Sequence, residues 1–160
     1  MPVNADAPRV VADVRVGVRD PYGKPEILTL DGTGQNRFLG GRVKVDGRAP
    51  DRGPPAGAPI DALFGGQIRL RSADVQAGAA VTLSLRFEAA RAPDKDYTLF
   101  VHAVDAAGQP LGQADGEPHN GEYPTSFWGS GEVVIETRAL TLTQPPARLV
   151  AGWYDRVTGA

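Results

Sequence analysis

Val81-Thr82-Leu83-Ser84-Leu85-Arg86-Phe87-Glu88-Ala89 decides the fold. Val81, Leu83, Leu85 and Phe87 fall on one side of an extended chain, with Thr82, Ser84, Arg86 and Glu88 on the other. That period of two is a β-strand with one buried and one wet face. The same grammar recurs outward in both directions. Upstream, Val10, Ala12, Val14, Val16 and Val18 alternate with Val11, Asp13, Arg15 and Gly17 until Asp20-Pro21-Tyr22-Gly23 stops the strand. Residues 27–30 and 38–45 make two more short strands, the latter with Val43 and Val45 facing away from Arg42 and Lys44. Ile68 and Leu70 alternate with Arg69 and Arg71.

Downstream, residues 99–104 are apolar on both faces apart from His102, which predicts a central strand covered on two sides. Ala106-Ala107-Gly108-Gln109-Pro110 is a turn. Val133 and Ile135 stand on the opposite parity from Leu140 and Leu142, which predicts a bulge or register change near residues 136–138. Residues 148–154 form the last strand. A 3.6-residue period persists nowhere for ten residues. About nine short strands at these intervals predict an all-β antiparallel sandwich, immunoglobulin-like or jelly-roll-like.

Composition agrees. Gly 20 and Pro 14 in 160 residues are too many for a helical protein and suit strands joined by turns. A chain of this length buries a sizeable core without staples. There are no cysteines, so disulfides and thiolate metal sites are excluded. The net charge of −2 argues against a nucleic-acid or anionic-membrane partner. No apolar run is long enough for a membrane span. Residues 48–59 hold four prolines and two glycines with almost nothing apolar, so they read as a linker. This divides the chain into an N-terminal strand segment at 1–47, the linker at 48–59 and a β-sandwich at 60–160. Residues 1–57 carry nine basic and seven acidic side chains, and residues 58–160 carry eight and twelve, so the two parts differ in charge sign.

Residues suited to catalysis are sparse. Ser72, Ser84, Ser126 and Ser130 lie outside any Gly-x-Ser-x-Gly elbow, and Asp31-Gly32-Thr33-Gly34-Gln35 lacks the lysine of a phosphate loop. The expectation is a protein with no catalytic residues. His102, inside an apolar strand, reads as a histidine with hydrogen-bonded ring nitrogens rather than a ligand. A binding role rests on the loop at 115–132. Tyr123, Trp128 and His119 are its candidate ligand-binding residues, with a saccharide stacked on the rings as one reading. Burial of Trp128 and Trp153 as a plug in the sandwich end is the other. Asp115, Glu117 and Glu122 supply oxygen atoms from which a calcium site is conceivable, although EF-hand spacing is absent and no other cofactor is implied.

Leu63-Phe64-Gly65-Gly66-Gln67-Ile68-Arg69-Leu70, residues 96–105, Tyr123-Pro124-Thr125 with Trp128, Gly131-Glu132-Val133-Val134 and residues 152–159 together carry a family likeness. The chain resembles the extracytoplasmic C-terminal β-sandwich of bacterial membrane glycosyltransferases related to dolichyl-phosphate-mannose protein mannosyltransferases. The likeness covers about a hundred residues and implies an exported accessory or surface module without catalytic residues. It departs from those enzymes in having no membrane span. In such domains the Gly-Trp-Tyr-Asp strand runs on through a Thr-Gly turn into further strands ending Leu-Gly-x-Val-x-Val. The front of this chain carries similar elements: Arg15-Val16-Gly17-Val18-Arg19-Asp20 echoes residues 150–155, and Leu39-Gly40-Gly41-Arg42-Val43-Lys44-Val45 follows. The resemblance therefore implies that Val14, Val16, Val18, Val43 and Val45 complete a sandwich by strand pairing, within one chain or in a neighbour. The expected partner is another copy, or another domain.

Overall fold

The computed structural model describes residues 10–17, 37–45, 57–78 and 80–159. The chain divides into two units, Met1–Arg48 and Ala49–Ala160. The strand expected at 27–30, the strand stop at 20–23, the stretch at 31–35, residues 48–56 of the linker and Val18 lie outside the described residues.

In the first unit β1 (Val10–Gly17) pairs antiparallel with β2 (Arg37–Val45). The register sets Val10 opposite Val45, Ala12 opposite Val43 and Val14 opposite Gly41, while Val16 pairs with Phe38 through the backbone. Residues directly opposite share a face, so Ala12, Val14, Val43 and Val45 lie together and Asp13 with Arg42 lies on the reverse. Those two side chains form an ion pair at 3.6 Å. Between Val14 and Arg15 the register skips Gly40, an extra residue on β2, and Gly41 has φ 151. The Gly40-Gly41 pair thus makes a bulge that kinks β2 and leaves β1 regular.

The second unit contains β3 (Ala58–Phe64), β4 (Ile68–Ala77), β5 (Val81–Ala89), β6 (Thr98–Val104), β7 (Pro110–Gln113), β8 (Val133–Leu140) and β9 (Arg148–Tyr154). They form an antiparallel β-sandwich of two sheets, ordered β3-β4-β5-β8 and β7-β6-β9. The adjacencies β4-β5-β8 and β7-β6-β9 reproduce D-E-B and G-F-C of a constant-type immunoglobulin sandwich, met along the chain in a cyclically shifted order. The β3–β4 hairpin turns through Gly65 and Gly66, both left-handed at φ 53 and 70. Two consecutive positive-φ residues make the tight primed turn that matches strand twist.

The alternation in β5 is realised: Leu83, Leu85, Phe87 and Ala89 are buried and the intervening residues are half-buried. Leu99, Val101 and Ala103 of β6 pack from the opposing sheet, each 0% exposed. Phe87 on β5 meets Trp153 on β9 edge-on at 4.9 Å, joining the two sheets. Two expectations need correction. β6 is central, yet Phe100 and His102 on its outward face are only half-buried, so one side is covered rather than two. β8 runs from Val133 to Leu140 in unbroken register with β5, with no bulge near residues 136–138. Its inward face is Val134, Glu136, Arg138 and Leu140, so an ion pair occupies core positions where a bulge was expected.

Candidate functional site

The loop between β7 and β8 closes on the sandwich instead of standing out from it. Thr125 is fully buried; its Oγ1 donates to Lys95 O at 2.7 Å and accepts the Tyr97 N–H at 2.8 Å. Lys95 also pairs with Asp155 at 2.8 Å, and this bond holds the Asp155 carboxyl below its ordinary range and raises the Lys95 ammonium. With Thr125 held by its side chain, Trp128 packs inward against Trp153, edge-on at 5.7 Å. Trp128 is 1% exposed and donates its indole N–H to Tyr123 O; Tyr123 is 2% exposed and donates its hydroxyl to Glu132. These rings therefore have no free face on which a sugar could stack, which corrects the expectation that they read a saccharide. They plug the sandwich end. The Trp153 indole N–H is buried within the same aromatic cluster without a hydrogen-bond acceptor.

The conceivable calcium ligands also separate. Asp115 faces His102, 3.1 Å from its Nε2; Glu117 lies 3.8 Å from Arg156; Glu122 is exposed. Among the described residues no group of three His, Cys, Asp or Glu side chains converges as a metal site would require.

The buried chemistry is instead at Glu136, 1% exposed on β8. Its Oε2 accepts from Arg138 Nη1 at 2.7 Å and its Oε1 from the His119 backbone N–H at 2.9 Å. Arg138 Nη2 reaches the carbonyls of Gly116 and Glu117 at 3.2 and 3.1 Å. Burial pushes the Glu136 carboxyl above its ordinary value, with Arg138 and then His119 pulling against it. Both carboxylate oxygens and both terminal guanidinium nitrogens thus have partners, the condition under which a buried charge is tolerated. The cost is local: His119 and Asn120 are held left-handed at φ 49 and 56, a conformation uncommon outside glycine although Asn and His enter it more readily than most residues.

This latch bears on the sheet edges, where strand pairing between molecules takes place. Natural sheets guard their edges with proline, charge, irregularity or a cover. β3 carries Pro59, a register break between Pro59 and Ala62, and Asp61 bonded to Arg69 at 2.6 Å. β7 is four residues long and begins with Pro110; Gly112 lies so close under Leu142 that an added Cβ would sit 2.7 Å from that side chain. In β8, Ala89 N–H donates to Glu132 O, so even-numbered residues bond β5 and the odd ones turn their backbone groups outward. Two of those outward carbonyls are already engaged: Ile135 O lies 3.3 Å from His119 Nε2, and Thr137 O accepts from Arg138 Nη1 at 3.2 Å.

β9 has none of these guards. It contains no proline, carries no charge between Leu149 and Tyr154, and pairs with β6 in continuous register. Leu99 and Val101 use their backbone groups on Gly116 and Ala114, so even-numbered residues of β6 bond β9. Leu149, Ala151 and Trp153 therefore turn N–H and C=O to the open side, where no described strand pairs with them. The residues of β9 mark a strand but not its position at an edge.

Among the described residues a cleft of about 290 Å³ is lined by Phe64, Gly65, Gln67, Ile68, Tyr97 and Trp153. Its polar side chains are engaged: Gln67 Oε1 accepts from Asp94 N–H at 2.9 Å and Tyr97 donates to Asp94 at 2.8 Å. Among the described residues no helix is long and apolar enough to cross a membrane. No protein-family model matches the chain, and no curated protein or solved structure matches it either. The likeness to the glycosyltransferase-associated sandwich rests on the residues quoted for it.

Proposed function

We propose that the chain is a non-catalytic, extracytoplasmic β-sandwich that serves as a structural or protein-interaction module and joins its partners by strand complementation. The observation that carries this reading is the amphipathic ribbon. Val14 and Val43 are 41% and 47% exposed on the apolar face of β1–β2, and a two-stranded ribbon has too little core to be stable alone. Such an element gains stability by adding to another sheet. The extracytoplasmic setting follows from the family resemblance. The non-catalytic part is supported by the histidines, both held in pairing roles, His102 with Asp115 and His119 with Glu136.

Light scattering and urea unfolding on the intact chain and on a form lacking residues 1–47 test the reading. Removal of the ribbon is expected to change particle mass or lower the unfolding midpoint. A truncated chain of the same stability and association state as the intact one contradicts it.

A further inference from the structure

We infer that β9 is the acceptor edge and that β1 of a second copy is the strand that adds to it. The inference rests on strand complementation as proposed above and specifies its two surfaces. The acceptor is assigned from the contrast among edges: β3, β7 and β8 are each broken, shortened, covered or capped, whereas β9 offers the backbone groups of Leu149, Ala151 and Trp153 in regular register. Val150, on the outward face of β9, is 37% exposed, so an apolar side chain already flanks the edge.

The donor is assigned from the ribbon. The extra residue of its bulge lies on β2, so β1 keeps the straight edge that pairing requires. Ala12 and Val14 line one face of β1, and on addition they would extend the inward row of Leu149, Ala151 and Trp153. Charge favours the match: residues 1–57 carry nine basic and seven acidic side chains (net +2), and residues 58–160 carry eight and twelve (net −4). Among the described strands β1 pairs only with β2 and β9 only with β6, so the donor is taken from a neighbouring copy, and the chain carrying both cysteines separates that source from its own ribbon. Such a head-to-tail contact extends into chains unless its rotation closes a ring.

The test uses the full chain. Its light-scattering mass is expected to rise with concentration. Ala151→Pro removes one N–H from the open side while sparing the β6 ladder, a placement proline tolerates at an edge. Val150→Lys places a charge beside the edge without touching the core, and serves if the proline variant misfolds. Both are expected to abolish the rise while the β-sheet circular dichroism stays intact. Because the chain has no cysteines, a Val14→Cys chain mixed with an Ala151→Cys chain and a short bis-maleimide should give a cross-linked heterodimer. Growth that persists in both variants overturns β9 as the acceptor and leaves strand complementation standing. A chain carrying both cysteines that cross-links only within itself, without growth, overturns the second copy and leaves complementation by its own ribbon. Neither growth nor any cross-link overturns the inference and the functional reading together.

Discussion

β8 and β9 both lie at sheet edges among the described residues, and both could present a row of backbone groups to a newcomer. β8 turns Glu136 and Arg138 inward, recruits the loop at 116–119, and has Ile135 O and Thr137 O engaged by the same side chains that hold the loop. β9 is held by aromatic packing, with Trp153 set edge-on to Phe87 and to Trp128. Polar bonds used to satisfy a buried pair also consume the edge, whereas apolar burial consumes only a face. One device therefore yields a closed edge and the other an open one.

The aromatic side of that comparison should break hardest. Trp128→Ala is expected to destabilise the sandwich by about 3–5 kcal/mol, toward the upper end, because the buried ring leaves a cavity and Trp153 loses a neighbour. Urea unfolding checks the magnitude. A loss below about 1 kcal/mol shows that the loop does not plug the end. Glu136→Leu alone also costs about 3–5 kcal/mol, since it strands Arg138 as a buried charge. Here the paired change distinguishes the edges. Glu136→Leu with Arg138→Met should recover most of the loss, as apolar replacements of buried ion pairs do, and should free the Thr137 carbonyl. The double variant is expected to associate more strongly than the unsubstituted chain. Stability recovered without added association separates the latch from edge protection.

Gly152→Ala probes the outward face of β9. A Cβ there would lie 2.7 Å from the Phe100 ring, which must swing aside, so a loss of about 1–3 kcal/mol is expected. The backbone groups of Ala151 and Trp153 are untouched, and association should continue at concentrations where the protein is folded. The smallest effect is the pH dependence of Glu136. Its carboxyl is raised in the folded protein, chiefly by burial, so the folded state holds a proton that the unfolded state has released above the ordinary glutamate value, about 4.3. The resulting stabilisation is present in acid and lost as pH rises through the folded value. Relative to Glu136→Gln, the native chain should lose stability with rising pH across that window. A difference that grows with pH contradicts the raised carboxyl. Asp155 has the opposite sign: lowered by Lys95, its contribution is present above the ordinary aspartate value and lost as pH falls through the lowered one.

Strands whose two faces differ in chemistry were legible from residues alone. Val81 to Phe87 alternates without exception, and Arg148–Tyr154 has the expected bounds. β8 was misread because Glu136 and Arg138, normally solvent-facing types, lie in the core row. What makes that possible is a set of backbone donors and acceptors at Gly116, Glu117 and His119, which no short sequence window contains. β7 was missed for a related reason: with Pro110 and Gly112 in four residues it has no side-chain pattern, and only its register with β6 defines it. The aromatic loop was half legible. Tyr123-Pro124-Thr125 before Trp128 signalled a chain folding back, but whether the rings were buried or displayed depended on the Thr125 bonds to Lys95 and Tyr97. The absence of guards in β9 is visible in its residues, yet it acquires meaning only once the strand order makes β9 an edge.

Amide hydrogen exchange, followed residue by residue at low and high protein concentration, tests the contrast between the two edges most directly. The account predicts that Leu149, Ala151 and Trp153 gain protection as concentration rises, while Ile135 and Thr137 of β8 exchange at the same rate throughout. Protection gained at β8 with β9 unchanged would contradict it.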